Sequence, residues 1–368
     1  MLVPRLSFHP AILVVAGVAF GALALGASAL GSTQSSVQAS ARSAASDLRY
    51  LGGVVVPASA RYSRFPALYS PPPEASPDKS LWPDKGALDL ESPTVADSLG
   101  RPLRASEQTA LIPAIANNRI LAFYGKPDSK SMGILGEYSK EDLATIMEGY
   151  ARLYKEQSGD EGVVCAFYLI YGTCWPGGEI GYLKDSTVKE YIDFASEHGM
   201  LVFVDHQIGK YPVADAVNRL LPWLKYPNVH IAIDPEWRTV SPMQVIGSVK
   251  ADEINDAEKA MSEYIEAEGI PGIKMLVIHQ FQDRMISERD KVRADYDGVL
   301  LIHTADGFGP PALKRASYAF NAKALNIPIK GFKLFFKTTV KGAGYDEPLL
   351  LPSDVLALDP SPRLVIYQ

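Results

Sequence analysis

Eight short apolar runs recur along the chain from about residue 118 onward, and they limit its possible folds more than any other feature. Runs that are continuously apolar, rather than alternating with polar residues, are typical of strands buried on both faces in a helix-covered parallel sheet. The runs are RILAFYG (119–125), VVCAFYLIYG (163–172), LVFVDHQIG (201–209), VHIAIDPEW (229–237), KMLVIHQF (274–281), GVLLIHTADGFG (298–309), GFKLFF (331–336) and RLVIYQ (363–368).

Segments with helical periodicity separate these runs. Three of them are SKEDLATIMEGYARLYKEQ (139–157), STVKEYIDFASEHG (186–199) and ADEINDAEKAMSEYIEAEG (251–269). The first two begin with serine, a preferred N-cap, and the last two end in glycine, which favours a helix end. About eight strand-then-helix repeats over about 250 residues predict a closed (β/α)₈ TIM barrel, without a helix after the last strand. An open doubly wound sheet is the alternative; even spacing and the lack of a glycine-rich first turn favour the barrel.

Three regions differ in composition. Residues 1–31 contain the uncharged stretch Ala11–Gly31, which predicts either a signal peptide, cleaved after Ala27-Ser28-Ala29, or one membrane anchor. Residues 32–110 are rich in Ser, Ala and Pro and predict a low-complexity linker, and residues 111–368 form the barrel domain. Both interpretations of the N-terminal segment, signal peptide and membrane anchor, predict an extracytoplasmic barrel. The membrane is a predicted partner if the segment is not cleaved.

Several function classes find no support in the composition. The formal net charge of -6 comes without a basic stripe, so nucleic acid is not expected as a partner. No glycine-rich phosphate loop is present, and no cofactor is predicted. The only cysteines, Cys165 and Cys174, are expected either to form one disulfide outside the cytoplasm or to leave Cys165 as a buried thiol.

Polar and aromatic residues gather where the predicted strands end, and the strand beginnings carry no comparable set. In a TIM barrel the active site lies at the C-terminal ends of the strands. Residues at these ends are therefore predicted to face one mouth. The set consists of Tyr124, Asp205, Gln207, Asp234, Glu236, Trp237, His279, Gln280, His303, Asp306, Lys333 and Tyr367.

Three carboxylates in this set are predicted to be catalytic. Asp234 and Glu236 lie two residues apart, so they point the same way if the strand continues past Pro235. Two close carboxylates repel each other, so one tends to keep its proton, as acid/base cleavage of a glycosidic bond requires. Asp306 follows the sixth strand on a glycine-containing turn and completes the catalytic prediction. The local alternative is that Asp234 and Glu236 only cap the strand end, with Glu236 paired to Arg238.

Short motifs resemble known groups of barrel proteins. The strings DPEW, HQF, DGFG, GFKLFF and the terminal YQ resemble a group of exported bacterial, actinobacterial-type barrel proteins over about residues 120–368, without an activity to assign. The pair Asp234 and Glu236 is similar to the end of the chitinase-type motif and to the pair of one barrel lysozyme family. The pair Asp234 and Asp306 is similar to the α-galactosidase-type clan. The commonest retaining clan has a glutamate after strand seven, where this chain has Lys333.

These patterns lead to one main hypothesis and two alternatives. The main hypothesis is a secreted or membrane-anchored glycoside hydrolase acting on a polysaccharide or cell-envelope glycan, in which the remaining residues of the set bind the substrate. The first alternative is a metal-dependent barrel hydrolase or isomerase with Asp205, Glu236, His279 and Asp306 around one divalent ion. The second alternative is a non-catalytic glycan-binding or envelope scaffold protein.

Overall fold

The computed structural model describes residues 118–159 and 161–368, together with Ile115 and the backbone of two short antiparallel strands. These two strands, Leu48–Leu51 and Val54–Pro57, are the only described part of the predicted linker, and the predicted signal or anchor segment lies outside the described residues. No helix within the described ranges has the length and apolar character needed to cross a bilayer.

Eight parallel strands form a closed ring. Closure is complete because β1 pairs with both β2 and β8, so that Leu121 lies opposite Cys165 on one side and Val365 on the other. The predicted closed barrel is therefore confirmed, and the open doubly wound sheet is wrong. The strands are β1 Asn118–Gly125, β2 Gly162–Cys174, β3 Leu201–Gln207, β4 Val229–Asp234, β5 Lys274–Gln280, β6 Val299–Ala305, β7 Ile329–Leu334 and β8 Leu364–Tyr367.

Helices flank the ring, but one repeat lacks its helix. Residues 281–298, between β5 and β6, contain two 3₁₀ turns and the two-residue strand Ile286–Ser287 but no α-helix, so the predicted strand-then-helix repeat is wrong there. Glu288 and Ala294 in this segment have φ angles of 55° and 63°, which a right-handed helix cannot continue through. The helices are α1 Lys140–Ser158, α2 Asp185–Glu197, α3 Val213–Leu220, α4 Ala251–Ala267, α5 Pro311–Ala322 and α6 Pro352–Leu356.

The helix ends follow the predicted capping pattern with one exception. The Ser139 hydroxyl accepts a hydrogen bond from the Asp142 backbone N–H at 3.1 Å and caps α1 as predicted. Helix α2 begins one residue before the predicted serine cap, and its N-cap residue Lys184 makes no side-chain capping bond. Gly199 and Gly269 follow α2 and α4 with φ angles of 64° and 61°, the left-handed conformation that ends a helix.

Both cysteines are free thiols on one strand. Cys165 and Cys174 lie nine positions apart in β2, so roughly 30 Å of extended chain separates them. A disulfide requires Cα atoms about 4.4–6.8 Å apart, so these two residues cannot pair. The alternative prediction, that Cys165 is a buried thiol, is closer to the structure, because Cys165 is partly buried against the core between the barrel and its helices.

Candidate active site

Six side chains converge inside the C-terminal mouth of the barrel, each from a different strand or from the turn after it. All six are buried. The half-buried Glu236 joins them from the turn that follows β4. The six are Tyr124 from β1, Asp205 from β3, Asp234 from β4, His279 from β5, Asp306 after β6 and Lys333 from β7.

Strand alternation decides which polar residues enter the mouth. On β3, Phe203 belongs to the apolar cluster inside the ring, and Asp205 follows it in phase. His206, one residue further, turns to the outer side, where its Nε2 lies 3.4 Å from the Tyr182 hydroxyl. Of this neighbouring pair, only Asp205 therefore reaches the mouth.

A chain of hydrogen bonds links Tyr168, His279 and Asp306. The Tyr168 hydroxyl lies 2.7 Å from His279 Nε2, and His279 Nδ1 lies 3.0 Å from Asp306 Oδ2. An ionised Asp306 can only accept, so His279 donates to it through Nδ1. Both ring nitrogens of His279 are thus engaged by protein groups, which holds the imidazole in one orientation.

Lys333 places a positive charge at the centre of the mouth. Its Nζ donates to Asp306 Oδ2 at 3.1 Å and lies 3.8 Å from the centroid of the Tyr124 ring, within range of a cation–π interaction. The other oxygen of Asp306, Oδ1, accepts from the Gly307 backbone N–H at 2.7 Å. Asp306 consequently accepts three hydrogen bonds, two of them from neighbouring side chains.

These contacts fix the charges of Asp306 and Lys333. Burial acts to raise the pKa of Asp306, but Lys333 and His279 outweigh it and hold that pKa well below its usual range. Burial acts in the same way against the charge of Lys333, yet the surrounding carboxylates, Asp306 first, raise its pKa above the ordinary value. The two groups therefore form a fully charged, buried ion pair.

Two other carboxyl groups keep an oxygen atom without a partner. The Tyr124 hydroxyl donates to Asp205 Oδ2 at 2.8 Å, while Asp205 Oδ1 has no hydrogen-bond partner. Asp234 Oδ2 is likewise buried and unpartnered. Buried polar atoms normally find a partner, so these two oxygens mark a place for a ligand's donor groups.

The carboxyls of Asp205, Asp234 and Glu236 bind protons more tightly than usual. Burial is the main cause, and it raises the pKa of Asp205 and of Asp234 to about 7. Burial also raises the pKa of Glu236 well above its usual value, and the charges of Asp234 and Asp306 add to the effect. The mouth thus holds one carboxyl group whose pKa is lowered beside three carboxyl groups whose pKa values are raised.

The chain does not continue as a strand beyond Pro235. Pro235–Trp237 form a 3₁₀ turn, which Asp234 caps by accepting the Glu236 backbone N–H at 3.3 Å. The condition under which Asp234 and Glu236 would point the same way is therefore not met, although the turn still brings the Glu236 carboxyl near the cluster. The local alternative holds in part: Asp234 caps the end of the strand, but Glu236 does not pair with Arg238, which pairs with Glu253 instead.

Three residues predicted to line the mouth point away from it. The His303 Nε2 lies 2.9 Å from the Gln280 Oε1, which also accepts from Arg289 at 3.1 Å. The Tyr367 hydroxyl lies 2.8 Å from that of Tyr154, between the barrel and α1. Gln280, His303 and Tyr367 are out of phase with the inward-facing positions of their strands, so the prediction that they face the mouth is wrong.

Two further residues of the predicted set stabilise the loops around the mouth. Gln207 Oε1 accepts from the Cys174 backbone N–H at 2.7 Å and ties the end of β3 to the end of β2. The Trp237 carbonyl accepts from the Gly209 backbone N–H at 2.9 Å. The Trp237 side chain is half-buried.

A second buried pair behind the mouth was not predicted. The Lys314 ammonium donates to the backbone carbonyls of Gly307 and Lys333 and lies 3.6 Å from Asp346 Oδ2. Asp346 in turn accepts from the backbone N–H groups of Gly309 at 2.9 Å and Phe335 at 3.0 Å. This pair connects the loop that carries Asp306 to the end of the strand that carries Lys333.

The strand beginnings also carry buried polar residues, contrary to the prediction. Lys274 donates to three backbone carbonyl oxygens at 2.8, 3.1 and 3.2 Å, and Lys330 donates to one at 2.8 Å. Arg119 pairs with Glu161 at 2.6 Å. These cations are satisfied mainly by backbone carbonyls, as expected of groups that close the bottom of a barrel.

The mouth contains one set of side chains that could hold a metal ion. Within the described residues, only Asp234, His279 and Asp306 offer ligand atoms that all lie within 4.8 Å of one another. The predicted set of Asp205, Glu236, His279 and Asp306 is not brought together in this way. The observed set fits a metal poorly, because His279 would have to give up a hydrogen bond and Asp306 already neutralises Lys333.

No protein-family model and no curated protein sequence matches the chain, so the resemblance to exported bacterial barrel proteins has no matched family behind it. Oxaloacetate acetylhydrolase in complex with oxalate aligns over 71% of this chain and 80% of its own, with 11% identity and a TM-score of 0.41. A family GH18 chitinase from the fern Peteris ryukyuensis aligns over 68% and 91%, with 13% identity and a TM-score of 0.41. A GH5 family lichenase from Caldicellulosiruptor sp. F32 aligns over 75% and 88%, with 8% identity and a TM-score of 0.32. Scores at this level identify neither a reaction nor a substrate.

Proposed function

We propose that the barrel mouth is the active site of a hydrolase that cleaves glycosidic bonds with Glu236 as the proton donor. The observation that supports this most is the opposed protonation of adjacent carboxyls. The pKa of Asp306 is lowered by Lys333 and His279, while burial raises the pKa of Glu236 and of its neighbour Asp234. Such pairs of carboxyls are what acid/base cleavage of a glycosidic bond uses.

Glu236 suits the role of acid because it combines a raised pKa with partial exposure. It is the half-buried member of a cluster whose other carboxyls are buried. In the proposed step its proton passes to the glycosidic oxygen as the bond between that oxygen and the anomeric carbon breaks. The leaving sugar then departs as a neutral alcohol.

Asp234 and Asp306 suit the other half of the reaction. Asp234 acts in its ionised form, above its pKa of about 7: the free Oδ2 of that carboxylate can attack the anomeric carbon or accept a proton from the water that attacks it. Asp306 has both oxygens occupied, so its contribution is a fixed negative charge near the positive charge that develops on the sugar. The stereochemistry of the released sugar distinguishes the two roles of Asp234.

Lys333 is not a nucleophile in this proposal. An amine that forms covalent intermediates needs a lowered pKa, whereas the carboxylates around Lys333 raise its pKa. Its role is to keep Asp306 ionised.

A metal-dependent hydrolase is the second candidate, favoured by the convergence of Asp234, His279 and Asp306. The hydrogen bonds of His279 and the Lys333 charge count against it. Elemental analysis of the purified protein and activity in the presence of a chelator separate the two candidates, because the carboxylate mechanism predicts activity that chelation does not reduce.

We also propose that the chain acts outside the cytoplasm on a polysaccharide or envelope glycan. Support comes from the uncharged apolar stretch Ala11–Gly31, which has the length of a signal peptide or a single span. Cell fractionation followed by N-terminal sequencing tests this proposal and distinguishes a cleaved segment from a retained anchor. Recovery of the protein in the cytoplasmic fraction would contradict it.

The test of the catalytic proposal is reducing-sugar release from a panel of polysaccharides by full-length protein and single variants. Glu236→Gln and Asp234→Asn are expected to lower kcat by about 10²-fold or more, the scale of a lost acid/base group. Leu325→Ala, a change of an exposed residue before β7, serves as the control. Unchanged kcat in both carboxyl variants contradicts the assignment, and glycan binding without any cleavage indicates a binding protein.

A further inference from the structure

We infer that the mouth binds an extended glycan chain across the barrel axis, with Trp175 at one side and Phe308 at the other. This assignment rests on the proposed function and makes it more specific, because it names a polymer bound on both sides of the carboxyls. A sugar ring presents an apolar C–H face that an exposed aromatic ring can cover, while its hydroxyls bond to polar groups.

Trp175 is an exposed indole in a fixed position. It follows β2, 51% of its surface is exposed, and its backbone N–H donates to the Glu179 carbonyl at 2.8 Å. A Cβ added at Gly181 would lie 2.1 Å from the indole Nε1, so the ring rests directly on the glycine backbone. The Lys126 ammonium lies 5.8 Å from the ring centroid and donates to Thr173 at 3.0 Å.

Phe308 is held in the same way after β6. Its exposed fraction is 55%, and its ring packs edge-on against Phe335 with centroids 5.9 Å apart. A Cβ added at Gly344 would lie 2.3 Å from the Phe308 ring, so this ring also rests on a glycine. Two exposed aromatic side chains, each packed against a glycine, are therefore held in place at the rim of the mouth.

Trp175 and Phe308 follow strands on opposite sides of the barrel. Strands β2 and β6 are four places apart in a closed ring of eight strands. Strands about 4.8 Å apart and tilted by about 36° close into a ring roughly 15 Å across. Because Trp175 follows β2 and Phe308 follows β6, the two residues leave the barrel on opposite sides of its axis, and a ligand that touches both aromatic rings must be several sugar units long.

Hydrogen bonds join neighbouring loops beneath each of the two aromatic side chains. On the Trp175 side, the Gly177 N–H donates to the Val240 carbonyl at 2.9 Å and joins the loops after β2 and β4. On the Phe308 side, Asp346 accepts from Gly309 and joins the loops after β6 and β7. Aromatic rings fixed before binding lose little conformational entropy when a ligand arrives.

A small cavity adjoins the Phe308 side. Its volume is about 40 Å³, and it lies between the loop after β1 and the loop after β7. Phe335 and Gly344, which contact Phe308, are part of its lining, and Ser131, Glu137 and Thr338 supply polar groups. Polar groups next to an exposed ring are suited to bond the hydroxyls of a sugar stacked on that ring.

The test measures binding as a function of glycan length in full-length protein carrying Glu236→Gln, which limits turnover. Affinity electrophoresis with glycol chitin, carboxymethylcellulose, xylan and pectin selects the polymer, and calorimetry then follows its oligosaccharides from disaccharide to hexasaccharide. Trp175→Ala and Phe308→Ala are each expected to weaken hexasaccharide binding by about tenfold, the scale of one aromatic contact. The control Leu325→Ala, 84% exposed at the other end of the barrel, is expected to have no effect.

A second variant tests the Trp175 position without removing the indole. Gly181→Ala would displace the Trp175 indole and is expected to reproduce the loss of hexasaccharide affinity in Trp175→Ala. Unchanged hexasaccharide affinity in both alanine variants, equal losses for disaccharide and hexasaccharide, or no polymer bound by the parent protein would overturn the inference. Length-dependent binding without cleavage by wild-type protein would support it while contradicting the proposed catalysis.

Discussion

Removing the Lys333 ammonium tests whether the buried carboxyl cluster depends on this cation. Lys333 and Asp306 are both buried and joined by a 3.1 Å hydrogen bond. Lys333→Met keeps most of the side-chain volume and leaves Asp306 without this cation. Breaking a buried pair by removing one partner typically costs about 3–5 kcal/mol, so we expect a loss of that size in the free energy of unfolding at pH 8.

The loss is expected to depend on pH in a defined direction. In the wild type the lowered pKa of Asp306 gives stability that is present above the unfolded pKa and is lost as pH falls. In Lys333→Met the folded pKa of Asp306 rises instead, so the variant loses stability as pH increases. The difference between the two proteins is therefore expected to grow between their two folded-state pKa values of Asp306, so that it is smaller at pH 4 than at pH 8.

Urea unfolding at both pH values measures this difference. Lys333→Met combined with Asp306→Asn is the matched control, because it removes the buried negative charge as well. We expect the double variant to be less destabilised at pH 8 than Lys333→Met alone. A single variant as stable as wild type, or one equally destabilised at both pH values, would refute the reasoning.

Two further predictions follow from the buried carboxyls. Asp205→Asn removes a charge that raises the pKa of Asp234. The acidic limb of the plot of kcat/KM against pH is therefore expected to move from near pH 7 to lower pH. An unmoved limb would mean that Asp234 is not the titrating group. Glu258 is buried in α4 with neither carboxyl oxygen bonded, and burial raises its pKa to about 9. Glu258→Met is expected to stabilise the fold by about 1–3 kcal/mol in urea unfolding, more at pH 8 than at pH 5, and a destabilised variant would contradict this.

The barrel could be predicted because burial on both faces gives each strand a continuous apolar run. The helices between strands were less predictable, because their ends depend on single residues. Residues 281–298 have polar composition typical of helix surfaces, yet Glu288 and Ala294 adopt left-handed backbone conformations there. Neither residue type indicates such a conformation in the sequence.

The site could be predicted only in part, because polarity at strand ends does not show which way a side chain points. On β5, His279 is in phase with Met275 and Val277, which face the inside of the ring. Gln280 is out of phase and faces outward. The same two-residue period places His303 outward, since Ile302 faces inward. The phase of the strand therefore separates the mouth residues from the others and was available in the sequence.

Other site residues gave no clear signal in the sequence. Tyr168 lies four residues before the predicted end of its apolar run, because β2 continues past Leu169, the last residue that pairs with β1, as far as Cys174. Lys314 looks like an ordinary surface lysine of an amphipathic helix, and Asp346 follows a glycine-rich loop. Their pairing depends on how the loops after β6 and β7 fold over each other.

The dependence of Glu236→Gln activity on the leaving group tests the proton-donor role most directly. Two glycosides of the sugar that wild-type protein releases are compared, one with an alkyl and one with a dinitrophenyl leaving group. If Glu236 donates the proton, the variant loses activity by about 10²-fold or more on the alkyl glycoside. It is expected to retain most of its activity on the dinitrophenyl glycoside, whose leaving group departs without protonation. Equal losses on both glycosides would contradict the assignment of Glu236 as the acid.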